Sequence, residues 1–146
     1  MTLEKGDAGI VVKQEEFVEQ FSMFEDWSDK YEYIISLGKL LKPLSDRYKT
    51  DDNIIKGCQS KVWLHAEIHD GKLYFTADSD AIITKGLISM IVSVFSGHQP
   101  DEILSTDLTF IDKIGLTEHL SPTRSNGLLS MVKQIKFYAL AYSAKA

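Results

Sequence analysis

A single cysteine, Cys58, stands in a chain of 146 residues. That scarcity excludes an intramolecular disulfide, a C-x-x-C redox pair, a thiolate zinc knuckle and any cluster held by several cysteines of this chain. A lone free thiol fits a reducing compartment. Long apolar runs are also missing. The greasiest stretch, Gly86 to Phe95, is interrupted by Ser89 and Ser93 and followed by Gly97, well short of the ~20 apolar residues of a membrane-spanning helix. Positive charge is in the minority, with 16 Lys and Arg against 21 Asp and Glu for a net charge of -5. The basic residues are scattered, which argues against nucleic acid as a partner, because neutralising phosphates needs clustered cations. Met1 to Val12 carries neither the apolar core of a secretory signal nor the Arg-rich pattern of a transit peptide. The expectation is a cytoplasmic protein that binds neither nucleic acid nor membrane. No low-complexity linker and no fixed-period repeat divides the chain.

What is present is enough apolar material, 44% of residues, for one globular domain. A chain of this length buries roughly 68–70% of the surface its unfolded form exposes and needs no staple. The pattern predicts a flexible N-terminal segment over 1–13 and a single domain over 14–146. From about Lys13 to Phe24, Phe17, Val18, Phe21 and Phe24 share a helical face. A second helix steps through Trp27, Tyr31, Ile34 or Ile35, Gly38 and Leu41, with Ser28 as N-cap and Pro43 as stop. Ser45 to Lys56 is polar and turn-prone.

At Ser60 the period changes to two. Val62, Leu64, Ala66 and Ile68 take one face, and Lys61, Trp63, His65, Glu67 and His69 the other. Asp70-Gly71 predicts a two-residue hairpin turn of type I′, which sets Ile68 opposite Leu73, Ala66 opposite Phe75 and Leu64 opposite Ala77. Asp78-Ser79-Asp80 is expected to end the hairpin and cap the next helix. Along that helix Ile83, Leu87, Met90 or Ile91, and Val94 form an apolar face, and Gly97 closes it. Gly86 costs roughly 1 kcal/mol relative to Ala inside a helix, so close packing is expected there. A short helix starts at Pro100, and another turn or two run from Asp107 to Ile114. A polar elbow, Ser121 to Gly127, leads into a last helix lined by Leu128, Val132, Ile135, Ala139 and Tyr142. The fold class is α+β: a small antiparallel sheet built on a hairpin and packed against N- and C-terminal helices.

Chemistry is concentrated at Cys58, in Lys56-Gly57-Cys58-Gln59-Ser60-Lys61. Free cysteine commonly packs as a small hydrophobe, but Gly57, Gln59 and Ser60 offer it no apolar face. Glycine lets the backbone turn sharply, and Lys56 and Lys61 favour the thiolate. Both a packed thiol and a reactive loop thiol remain open on these residues. His65, His69, His98 and His119 are candidate bases for a cysteine nucleophile, and each also reads as an exposed bystander. His65 and His69 are i, i+4 on a strand, too far apart for easy joint ligation of a metal. The pair Asp51-Asp52 carries no further signal for acid/base work, and capping accounts for Asp78 and Asp80. No phosphate loop, dinucleotide fingerprint or G-x-S-x-G elbow occurs. Arg124 is suited to an anion or partner carboxylate, or equally to a solvated helix start.

Gly57-Cys58-Gln59-Ser60 followed by Val62-Trp63-Leu64 resembles the active-site segment of the SufE family, sulfur acceptors that work with cysteine desulfurases in iron-sulfur cluster assembly. Further segments match in order: Leu37-Gly38, Asp78-Ser79-Asp80 before Lys85-Gly86-Leu87, and Leu120-Ser121-Pro122 with Arg124-Ser125-Asn126-Gly127-Leu128. They cover about Phe17 to Ala139. The stretch Lys42-Pro43-Leu44-Ser45-Asp46 is looser than the proline-rich turn often found there. The resemblance implies a fold similar to iron-sulfur scaffold proteins, and a carrier and activator rather than an enzyme. By that resemblance, Cys58 takes persulfide sulfur from a SufS-type desulfurase and passes it to a cluster scaffold complex. It also implies that Gly57, Gln59, Ser60, Asp78, Asp80 and Arg124 support the cysteine loop or the docking surface. No cofactor of the chain's own and no metal are implied, pyridoxal phosphate belonging to the desulfurase; a homodimer is left open. The other readings are a cysteine-nucleophile hydrolase using Cys58 with His65 or His119, and an interaction module with an inert buried thiol.

Overall fold

The structure, a computed structural model, describes residues 5–55 and 61–145. Helix α1 spans Lys5–Ser22 and α2 Trp27–Lys39; two single 3-10 turns follow at Asp46–Tyr48 and Asp51–Asn53. Strands β1 (Val62–His69) and β2 (Lys72–Ser79) form the hairpin, and α3 (Ile82–Phe95), α4 (Pro100–Ser105), α5 (Phe110–Ile114), α6 (Leu116–His119) and α7 (Pro122–Lys145) complete the order. The α+β architecture is as expected.

The hairpin has the register that its alternation and its turn demand. Ile68 pairs with Leu73, Ala66 with Phe75 and Leu64 with Ala77. Asp70 and Gly71 both take positive φ, 53° and 78°, as a type I′ turn requires. The inward face is not uniform: Val62, Leu64, Leu73, Phe75 and Ala77 are buried, whereas Ile68 near the turn is exposed. Single bridges extend the sheet on both sides, Ile54 to Trp63 and Leu73 to His98.

Helix α3 lies across this sheet and under α2, with Leu87, Met90, Ile91, Val94 and Phe95 fully buried. The α2–α3 crossing depends on two glycines. A Cβ on Gly86 would stand 2.1 Å from the Ile34 carbonyl oxygen, and one on Gly38 would stand 2.9 Å from the Gly86 nitrogen. The expectation of close packing at Gly86 is borne out. Helix α7 closes the core through Leu128, Met131, Ile135 and Ala139.

Several local expectations need correction. Helix α1 begins within the stretch expected to be flexible, because Ile10 inserts into the core and Gly9 lets the His98 ring approach. The N-cap of α2 is Asp26, whose carboxylate accepts from the Asp29 N–H at 2.9 Å, and not Ser28. Helix α3 has Ala81 at its N-cap with no side-chain cap; Asp78 and Asp80 are occupied elsewhere. Most of the elbow at 121–127 is the first turn of α7, where Ser121 Oγ accepts from the Arg124 N–H at 3.2 Å. His98 is not exposed: it is buried, and its carbonyl accepts from the Leu73 N–H. Gln14, polar and buried, caps α5 by accepting from the Thr109 and Phe110 N–H groups.

Candidate functional site

Cys58, with Gly57, Gln59 and Ser60, lies outside the described residues. What the structure defines is the frame at the two ends of that segment. On the entry side the Ile55 N–H donates to the Val62 carbonyl at 2.8 Å. On the exit side the Lys61 N–H donates to Asp80 Oδ1 at 3.0 Å, and the Asp80 N–H returns to the Lys61 carbonyl at 3.3 Å. Asp80 therefore holds the first residue after the span, a role that an exposed carboxylate at a strand end can take without leaving water.

Asp78, two residues earlier, is buried, at 5% exposure. Its Oδ1 accepts from the Ser79 N–H at 2.8 Å. Lys85 of α3 approaches Oδ1 at 3.3 Å and Lys49, after the first 3-10 turn, approaches Oδ2 at 3.3 Å. Burial opposes ionisation of this carboxyl, but the Ser79 amide and the two ammonium groups outweigh it and hold Asp78 below its ordinary value of 3.8. A carboxyl whose native pKa is depressed stabilises the fold above its unfolded pKa, and that contribution is lost as pH falls through the native value. Asp78→Asn should therefore destabilise the protein at neutral pH by about 1–3 kcal/mol, the lysines being partly solvated. The gap to wild type should close in acid, below 3.8. Thermal unfolding followed down the acid limb checks this; a gap independent of pH would contradict it.

The lead-in to the cysteine segment is stitched to the outer face of β1. Tyr48 stacks on His65 with centroids 3.7 Å apart, Lys49 Nζ lies 5.6 Å from the Trp63 ring, and Asn53 Nδ2 donates to the Tyr48 carbonyl at 2.8 Å. On the same face, Glu67 takes His65 Nε2 at 3.0 Å on one oxygen and His69 Nε2 at 3.2 Å on the other. The His69 bond and then the His65 bond hold the Glu67 carboxyl below the ordinary carboxylate range. His119 is stacked on Trp27 at 3.7 Å. Among the described residues, no group of three His, Cys, Asp or Glu side chains is arranged to hold a metal ion, and no helix is long and apolar enough to cross a membrane.

Arg124 sits in the first turn of α7 with its Nε buried and without a hydrogen-bond partner among the described residues. A shallow hollow of about 390 Å³ lies between Ile54 and Ile55 and the Ser130–Phe137 face of α7, beside the entry to the segment. Of the expected site residues, then, Asp78 and Asp80 both act at the hairpin end, one toward each side of the cysteine span. Lys49 and Tyr48 were not singled out from the sequence. Lys49 and Tyr48 lie in a polar stretch with no periodicity, so no local signal marks them.

The family model for SufE, described as an Fe-S metabolism associated domain, matches residues 15–139. An uncharacterised SufE-like protein of Rhizobium meliloti (strain 1021) is 41% identical over 127 residues, covering 84% of this chain and 91% of the relative. Another, of Rhizobium etli, is 37% identical over 139 residues, covering 92% and 94%. In fold, the chain is similar to a hypothetical protein of Thermus thermophilus solved in solution, with a TM-score of 0.75 at 17% identity over 90% of this chain and 96% of that one. The family match over most of the chain and the two SufE-like relatives together place the protein in the SufE family, a family associated with iron-sulfur metabolism.

Proposed function

We propose that this protein is a sulfur acceptor for a SufS-type cysteine desulfurase. It takes one sulfur atom onto Cys58, stimulates the desulfurase by clearing its persulfide, and hands the sulfur to an iron-sulfur scaffold complex in the cytoplasm. Family membership supports the association with iron-sulfur metabolism. The observation that carries the finer reading is that the only cysteine of the chain lies in a span anchored at both ends, by Ile55 to Val62 and by Lys61 to Asp80.

The transfer is a thiol exchange. The Cys58 thiolate attacks the terminal sulfur of the persulfide on the desulfurase cysteine. A sulfur–sulfur bond forms at Cys58, the bond in the donor persulfide breaks, and its electron pair leaves with the donor sulfur as a thiolate. One disulfide-type bond replaces another, so no external oxidant or reductant enters. The pyridoxal phosphate that generates the donor persulfide belongs to the desulfurase, and the carrier needs no cofactor. A second thiol nearby would attack the loaded cysteine, close a disulfide and expel sulfide; a solitary cysteine cannot do this within its own chain. Asp78, Asp80 and Arg124 serve the frame of the loop or the docking face, as do Gly57, Gln59 and Ser60 within the segment itself.

The test is turnover of a SufS-type desulfurase with cysteine as substrate, with and without this protein and a thiol that discharges the loaded carrier. Stimulation that saturates with the carrier is expected. A turnover rate that does not respond to it would contradict the reading.

A further inference from the structure

We propose that Lys49 is a positioning residue for sulfur acceptance, holding the segment that leads to Cys58 against the end of the hairpin through its ion pair with Asp78. The inference rests on the sulfur-acceptor reading above.

Asp78 receives two ammonium groups that are matched in geometry. Lys49 and Lys85 each stand 3.3 Å from it, with side chains 30% and 34% exposed. They differ in what they tie down. Lys85 belongs to α3, whose place is already set by its buried face and by the Gly86 crossing with α2. Its ion pair adds to a position that packing fixes. Lys49 belongs to the stretch between α2 and β1, where neither 3-10 turn buries a residue and neither has a side-chain cap. Leu44 and Ile55 are buried at the two ends of the stretch; between them it is held by the Tyr48–His65 stack and the Ile54–Ile55 pairing on β1 and by the Lys49–Asp78 pair on β2. Of these, Lys49 makes the one contact to a buried charge. Its competing acceptor, Asp46 at 3.8 Å, is almost fully solvated and offers a weak alternative. The Lys49 pair therefore adds to the registration of the entry to the cysteine span between its buried ends, whereas the Lys85 pair acts on a helix that packing already fixes.

Registration matters because a thiolate must meet the donor sulfur in line, and a displacement of about 1 Å can lower a transfer rate by as much as 100-fold. For Lys49→Met a loss of about tenfold in the rate of sulfur acceptance is expected, with Lys49→Arg restoring most of it, since the guanidinium keeps the charge and reach. Lys85→Met removes an equivalent ion pair and should lower the melting temperature to a similar degree, yet leave the acceptance rate within roughly twofold of wild type. Hydrogen exchange of the Ile55 amide should quicken in Lys49→Met and stay unchanged in Lys85→Met.

The experiment measures single-turnover sulfur transfer from a SufS-type desulfurase to the full-length wild type and these three variants, with the Ile55 amide exchange and melting temperatures alongside. A selective loss in Lys49→Met, rescued by Lys49→Arg, is the expected result. Equal losses in Lys49→Met and Lys85→Met, or no loss in Lys49→Met while wild type accepts sulfur, would overturn the role of Lys49 and leave the sulfur-acceptor reading standing. A wild type that accepts no sulfur from an active desulfurase would overturn both.

Discussion

Gly86→Ala is expected to destabilise the protein by about 3 kcal/mol, the upper end of what overpacking costs, and to lower its melting temperature by roughly 10 °C for a chain of this size. On an isolated helix the same substitution would stabilise by up to about 1 kcal/mol, because Ala is the better helix former. The opposite sign arises from the α2–α3 crossing. The new methyl would stand 2.1 Å from the Ile34 carbonyl oxygen and 2.7 Å from the carbonyl carbon. A backbone carbonyl cannot rotate away as a side chain can, so the helices must separate along a contact that buries Ile34 and Leu87. Separation would also shift Lys85, the neighbour of Gly86, from Asp78. Thermal and denaturant unfolding measure the effect; a variant as stable as wild type would mean that the helices do not approach this closely.

The second large effect concerns Cys58→Ser. Stimulation of the desulfurase should fall to the level seen without the carrier. A serine oxygen is a far weaker nucleophile toward sulfur at neutral pH, and an O–S product would not carry a persulfide onward. The ion pairs of Asp78, the Asp80–Lys61 clip and the Tyr48–His65 stack do not involve the thiol, so binding to the desulfurase should persist. The variant should then act as a competitive inhibitor of stimulation by wild type. Full stimulation by Cys58→Ser would show that docking alone activates the desulfurase.

The hairpin was legible because two independent signals agreed. A period of two from Val62 to Ile68 and the positive-φ pair Asp70-Gly71 permit one register, and a slip by one residue would have turned Leu64 and Phe75 to water. Gly86 was legible because a costly residue in a strong helical pattern demands a reason. The start of α1 was not, since Gly6 and Gly9 dilute the helical pattern and the compensation comes from tertiary contact with His98 and from burial of Ile10. The caps were missed for the same kind of reason. Asp78 and Asp80 have the right chemistry for an N-cap, but their charges are drawn to Lys49, Lys85 and the Lys61 amide, partners that no short-range pattern reveals.

The same division applies to the site. Cys58 could be singled out from its neighbours alone, because Gly57, Gln59 and Ser60 provide no apolar face to bury it. Asp78 and Asp80 entered the site through the resemblance, and Arg124 both through its place beside the Ser-Pro turn and through the resemblance. Lys49 emerged from neither, since its importance depends on a pairing across a long stretch of chain to a carboxylate that becomes buried only when the hairpin forms.

The most direct test of the central claim is the mass spectrum of this protein after incubation with an active SufS-type desulfurase and cysteine, with fragmentation to locate the added mass. One extra sulfur atom on Cys58 is expected, removed by a thiol reductant and absent from Cys58→Ser. An unmodified Cys58 beside a desulfurase that is demonstrably turning over would contradict it.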